Sequence, residues 1–204
     1  MPLQRPERSC TVNKQIVFRK FWLYMLEIDD ISDQIASIGF RCRECGACCR
    51  HVAEDSNLVI VSPAEVRAIM AATGMAWDEI AEPYPDFIGS ENGGKYTFAW
   101  CIRRTADACI FLQDGRCSIY AHRPWICRTY PFMLLDDVLQ VSECPGLGMP
   151  LTADVAHDVA TELCKRQAAE AVEETGVRAV YQRARIPPGR RVVIDSEGMK
   201  VLHG

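Results

Sequence analysis

Apolar residues recur at spacings of 3 and 4 in two long stretches of this chain and cluster in short runs between them. Phe18, Phe21, Trp22, Met25, Ile28, Ile31, Ile35 and Ile38 lie on one helical stripe, which predicts a helix over residues 14–38 with Gly39 as its stop. The stripe reads as a core-facing surface, with a partner-binding helix as the functional alternative. "VSPAEVRAIMAATG" predicts a helix with Ser62 at the N-cap, Pro63 in the first turn, Glu65 completing a capping box and Gly74 as terminator. "MAWDEIAEPY" predicts a second, short helix ended by Pro83.

The middle of the chain changes period. "GGKYTFAWCI" predicts a strand after a glycine turn. "CIFLQDGRCSIY" predicts two short strands around Asp114-Gly115, and "FMLLDDVLQVS" a hairpin turning at Asp136-Asp137. "AHRPWICRTYP" reads as a helical turn between two prolines. From Thr152 the helical spacing returns, with Val155, Val159, Leu163 and Val172 on or near one face and Gly176 as the expected end. The tail predicts a small hairpin around Glu197-Gly198. The fold class is α+β, with helices flanking a small cysteine-rich region of short β-hairpins. The expected organisation is an N-terminal helical extension (1–39), a cysteine-cluster region (40–150), and a C-terminal helix and hairpin (151–204) packed on it.

Composition sharpens the picture through one residue type. The 204 residues include 11 cysteines, below the density of a secreted disulfide scaffold and above what packing alone requires. The first residues are polar and carry no signal-peptide core, and "IVFRKFWLYMLEI" is too short and too charged to span a bilayer. A reducing cytoplasm is therefore expected, where clustered cysteines mean metal or redox chemistry. The net charge of −4 is unevenly spread: residues 41–51 carry three arginines against one acid, and residues 101–130 five arginines against two. Positive neighbours suit thiolates, so neither a nucleic-acid nor a membrane partner is expected, and a protein partner is left open.

Cys42, Cys45, Cys48 and Cys49 occupy eight positions of "FRCRECGACCRH". C-x2-C-x2-C is the run with which bacterial ferredoxins supply three cluster ligands. The fourth cysteine is not three residues further on but adjacent, and neighbouring side chains are expected to diverge. The pair would then face two metals or belong to a polynuclear cluster. Four local thiols do not close such a site. Cys109 and Cys117 flank the Asp114-Gly115 hairpin, Cys127 sits in "HRPWICRTYP", and Cys144 precedes Pro145, as a ferredoxin's last cysteine precedes proline. An iron–sulfur cluster is the favoured cofactor, with four-thiolate zinc as the alternative. His51 and His122 are further candidate ligands. Arg41, Arg50, Arg123 and Arg128 could offset thiolate charge. Tyr120 and Tyr130 are expected to wall the site, and Cys10, Cys101 and Cys164 to be structural thiols.

"FRCRECGACCR", "CIFLQDGRCSIYAHRPWICRTYPF" and "CPGLG" together resemble the CxxCxxCC family, the YkgJ-type cysteine cluster proteins, a zinc- or iron-chelating domain. The resemblance covers roughly residues 40–150. It implies that Cys42, Cys45, Cys48, Cys49, Cys109, Cys117, Cys127 and Cys144 are the metal-binding set. The family's arginine–proline and cysteine–arginine pairs fall on Arg123-Pro124 and Cys127-Arg128. The family is also similar to flagellin lysine N-methylases, which implies an iron–sulfur-dependent modifier of protein lysines as the enzymatic alternative; an electron-transfer partner is the other alternative. Those proteins are longer, and no glycine-rich SAM-binding loop is found in this sequence.

Overall fold

The stripe before Gly39 forms helix α1, residues 28–38, in the computed structural model, which describes residues 28–50, 58–105 and 108–202. Residues 14–27 of the expected helix, together with Cys10, His51 and His203, lie outside the described residues. Gly39 ends α1 in the left-handed region at φ 71°, its N–H donating to the Ile35 carbonyl at 2.9 Å. The capping box of α2 (Pro63–Thr73) is formed in both directions. The Ser62 hydroxyl accepts the Glu65 N–H at 3.3 Å, and Glu65 Oε2 accepts the Ser62 N–H at 2.9 Å.

The short helix after α2 is α3 (Trp77–Ile80), which stops three residues earlier than Pro83. Ala81–Pro83 turn into strand β2 instead, because Trp100–Ile102 (β5) offers its edge there. With β1 (Ile60–Val61) they make an antiparallel sheet of order β1-β5-β2. The single strand expected from Gly93 to Ile102 is broken at Phe98-Ala99. Its first half, β4 (Lys95–Thr97), belongs to a second sheet with β3 (Ile88–Gly89), β10 (Arg191–Asp195) and β11 (Gly198–Val201), in the order β11-β10-β4-β3. The β4–β10 pair is parallel. One strand cannot serve both sheets, since Tyr96 is buried against Val192 and Ile194 while Trp100 and Ile102 are buried against α2 and α3.

Two hairpins stand apart from these sheets. β6 (Leu112–Gln113) and β7 (Arg116–Cys117) turn at Asp114-Gly115, with φ of 48° and 80°. β8 (Phe132–Leu135) and β9 (Val138–Val141) turn at Asp136-Asp137, with φ of 49° and 62°. Positive φ at both central residues gives the turn whose twist matches that of the flanking strands. Between the hairpins lies the five-residue helix α4 (Trp125–Thr129).

Two apolar clusters hold this frame. Val66, Ile69, Ile80, Trp100 and Ile102 pack with Phe111 and Ile119, which bracket the β6–β7 hairpin. Ile28, Ile31 and Ile35 of α1 pack with Phe132 and with Ala156, Ala160, Leu163 and Cys164 of the last helix, α5 (Ala153–Tyr181). The α1 stripe is thus a core face over its described length. No helix among the described residues is long and apolar enough to cross a membrane.

Gly176 does not end α5, which continues to Tyr181. A Cβ at this position would stand 2.6 Å from Ser196 Cβ and 3.1 Å from Ser196 Cα, so glycine is needed for the close approach of the β10–β11 turn. Ser196 cannot step aside freely, because its hydroxyl donates to Glu173 at 2.7 Å. Gly176→Ala should therefore destabilise the protein by about 1 kcal/mol, the overpacking cost exceeding alanine's gain in helix propensity. Thermal unfolding checks this, and a higher melting temperature would contradict it.

Candidate metal centre

The 42–49 segment is short of side chains that could make a core, and backbone contacts hold it. The Arg41 N–H donates to the Gly146 carbonyl at 3.0 Å, and the Cys49 carbonyl accepts the Cys109 N–H at 2.8 Å. One bond ties the loop's start to the Cys144 segment, and the other ties its end to the Cys109 segment. Two close approaches around the loop fall at glycines. A Cβ on Gly146 would lie 2.2 Å from the Arg41 carbonyl oxygen, and one on Gly46 would lie 3.0 Å from the Gly115 oxygen. Gly46 also has φ 70° and starts the 3-10 turn Ala47–Cys49. A Glu44–Arg116 ion pair at 3.5 Å spans the same gap, but both side chains are exposed and the pair adds little.

That tight turn overturns one expectation. Adjacent cysteines were expected to point apart, yet Cys48 Sγ and Cys49 Sγ stand 4.0 Å from each other. Two sulfurs on one zinc ion would be roughly 3.8 Å apart, from Zn–S bonds of about 2.3 Å at the tetrahedral angle. The 3-10 conformation of residues 47–49 turns the two side chains to one side.

The distal cysteines face this pair. Cys109, Cys117 and Cys127 are close enough to Cys49 for their charges to act on its ionisation, and Cys127 feels Cys109, Cys48 and Cys117. Cys144, Cys48 and Cys45 act together on Tyr130. Cys42 Sγ accepts the Glu44 N–H at 3.4 Å. Cys144 receives the matching bond from the Gly146 N–H at 3.5 Å. Cys42, Cys45 and Cys48 are exposed, while Cys49, Cys109, Cys117, Cys127 and Cys144 are half-buried, so the loop forms the open side and the distal cysteines the floor. Among the described residues, no group of three or more His, Cys, Asp and Glu side chains is drawn together tightly enough to hold a metal ion as it stands. The sulfurs gather at one place without converging on one point.

Their ionisation reflects crowding. The hydrogen bond between Cys48 and Cys49 raises the Cys48 pKa and lowers that of Cys49, so the proton shared by the pair resides on Cys48. Burial pushes Cys127 up to about 12, with the neighbouring thiols adding to the shift and Arg123 opposing it. Burial raises Cys109 as well. Cys109 and Cys127 are therefore neutral thiols until a cation displaces their protons. The donor set is all soft sulfur, which suits zinc or iron–sulfur and not magnesium or calcium.

The two arginines do different work. Arg123 donates from Nε to the Tyr120 carbonyl at 3.0 Å and from a terminal nitrogen to the Cys127 carbonyl at 3.2 Å, with its guanidinium 3.7 Å over the Tyr120 ring. Its charge opposes the upward shifts that the Cys49 hydrogen bond imposes on Cys48 and burial imposes on Cys127. Arg128 turns toward α5, over Trp125 at 3.9 Å and against Glu162 at 3.5 Å. Tyr130 lies beside the cysteines, whereas Tyr120 and His122 are exposed on a 3-10 turn. Cys101 and Cys164 are buried away from the group, and Cys101 donates weakly to the Glu82 carbonyl at 3.6 Å.

The pattern also contained a residue whose second role was not legible. Glu65 Oε1 accepts the Trp125 N–H at 2.8 Å while Oε2 closes the α2 capping box. One carboxylate thus fixes the starts of two helices, and α4 carries Cys127. The capping box announced Glu65, but a bond across 60 positions leaves no local signal.

A thiol-rich floor, an exposed C-x2-C-x2-C-C loop and an arginine bound to the backbone of Cys127 define a cysteine-cluster protein of mixed α and β structure. Residues 41–165 match the CxxCxxCC family, described as "Putative zinc- or iron-chelating domain". That is more than half of the 204-residue chain, and the chain belongs to this family. No solved structure matches it.

Glu65→Ala removes a cap and the Trp125 partner together. It should cost about 2 kcal/mol, whereas Glu79→Ala, whose carboxylate accepts only the Ala76 N–H in an exposed turn, should cost less than 1 kcal/mol. Urea denaturation of the two variants compares them. Equal losses would contradict the bridging role of Glu65.

Proposed function

We propose that this chain chelates an iron–sulfur cluster through Cys45, Cys48, Cys49, Cys109, Cys117, Cys127 and Cys144, with Cys42 completing the set from the exposed loop. The observation that carries the reading is the mutual electrostatic reach of Cys48, Cys49, Cys109, Cys117 and Cys127. Five thiols at one place exceed the four that a single tetrahedral zinc takes. The ferredoxin-like run at 42–48 supports the same reading. The 4.0 Å Cys48–Cys49 separation favours a second one, in which the pair shares a zinc ion and the remaining sulfurs hold another. Arg123 neutralises charge at the bound group and orients the Cys127 backbone in either case. Thiol ligation of this kind requires a reducing setting, which supports a cytoplasmic location.

Metal and acid-labile sulfide analysis of anaerobically isolated protein distinguishes the readings. A brown protein with sulfide and iron in comparable amounts is expected. Colourless protein with two zinc ions per chain and no sulfide would establish the second reading, and protein that binds neither would contradict both.

Ligand loss should be felt as fold loss, because strands of two to four residues are too short to be stable without the ties between them. Cys117→Ser is expected to lower the melting temperature of the loaded protein by more than Cys164→Ser, whose packing cost is on the order of 1 kcal/mol. The reverse ranking, measured beside metal content, would place Cys164 and not Cys117 in the tie.

A further inference from the structure

Cys144 sits in a stretch, residues 142–146, that belongs to no helix or strand. Val141, Ser142, Glu143 and Pro145 around it are exposed, so apolar packing cannot set its position. Hydrogen bonds do. At one end the Ser142 N–H donates to the Pro131 carbonyl at 2.8 Å, and at the other the Gly146 carbonyl accepts the Arg41 N–H at 3.0 Å. Between these two points the Tyr130 hydroxyl donates to the carbonyl of Glu143, the residue immediately before Cys144.

Tyr130 is itself anchored to another cysteine segment. It follows α4, which carries Cys127, and its N–H donates to the Ile126 carbonyl at 3.1 Å. Its backbone therefore moves with the Cys127 helix while its side chain holds the chain beside Cys144. The β8–β9 hairpin does not need this bond. Phe132 to Leu135 already pair with Val141 to Val138, and the Ser142–Pro131 bond closes the open end. What the phenol adds lies beyond the hairpin, at the cysteine. The Tyr130 pKa is raised by burial and then by Cys144, Cys48 and Cys45, which agrees with a phenol standing beside both the distal cysteine and the loop.

We propose that Tyr130 is a positioning residue of the metal centre, on the reading that Cys127 and Cys144 are both among its ligands: its hydroxyl fixes the Cys144 segment relative to the Cys127 helix. Removing the hydroxyl leaves the ring in place and frees the Glu143 carbonyl, which is exposed and turns to water at small cost. The loss falls on the metal instead, because a bound ion must then order a ligand that was ordered beforehand.

Cobalt(II) titration of the full, reduced chain under anaerobic conditions tests this, with binding read from thiolate-to-cobalt absorbance. Four proteins are compared: unaltered, Tyr130→Phe, Cys144→Ser and the double variant. Tyr130→Phe is expected to bind cobalt about 10-fold more weakly than the unaltered protein. In the Cys144→Ser background the same change should cost nothing further, since the group it positions is gone. Equal affinity of Tyr130→Phe and unaltered protein would overturn the proposal. So would an equal loss with and without the Cys144 sulfur, which would make Tyr130 a residue of the fold alone. Should Cys144→Ser fail to fold, the absorbance per bound cobalt in Tyr130→Phe decides: a lower value supports the role and an unchanged one overturns it. An unaltered protein that shows no thiolate-to-cobalt absorbance would overturn the chelation reading and this role with it.

Discussion

The Cys49 carbonyl accepts the Cys109 amide, the Gly146 carbonyl accepts the Arg41 amide, and through these two bonds the cysteine loop is held against segments 60 and 105 residues away in sequence. The loop has no buried side chain in its 3-10 turn, so it cannot be placed by hydrophobic packing. Backbone pairing places it; Gly146 lets the Arg41 main chain approach where a Cβ would collide, and Gly46 supplies the left-handed turn beside Gly115. Everything chemical about the site follows from that approach. The sulfurs come within reach of one another, the Cys48 and Cys49 pKa values separate, and Cys109 and Cys127 stay neutral until a cation displaces their protons.

The scaffold around the loop is arranged to position rather than to enclose. Phe111, two residues after Cys109, and Ile119, two residues after Cys117, are buried in the main core, which fixes the hairpin from both sides. Cys127 is placed from its backbone: Glu65 holds the first N–H of α4, and Arg123 holds the Cys127 carbonyl. A five-residue helix has no cooperative stability of its own, so these two side chains set its orientation. The exposed cysteines of the loop lie on the solvent side of this arrangement.

Much of this was legible because local chemistry specified it. Ser62, Pro63, Glu65 and Gly74 marked α2, and Asp114-Gly115 and Asp136-Asp137 marked the hairpins, since each feature depends on neighbours in sequence. The failures share another cause. Gly176 read as a stop because glycine weakens helices, but its role is set by Ser196 on a distant turn. The Gly93–Ile102 strand was divided because two sheets compete for it, and the short helix yielded Ala81–Pro83 to the edge of β5. The Cys48–Cys49 geometry was misjudged because divergence is the rule for extended chain, whereas a 3-10 turn brings neighbours together. Glu65 was half legible, as a cap without its second bond.

The central claim is that sulfurs from separate segments form one all-thiolate centre. X-ray absorption at the iron and zinc edges of the anaerobically isolated protein tests it most directly, and Cys109→Ser serves as the comparison. A first shell made only of sulfur at about 2.3 Å, partly lost in the variant, is the result predicted. A shell of nitrogen and oxygen, or a sulfur shell that Cys109→Ser leaves unchanged, would contradict it.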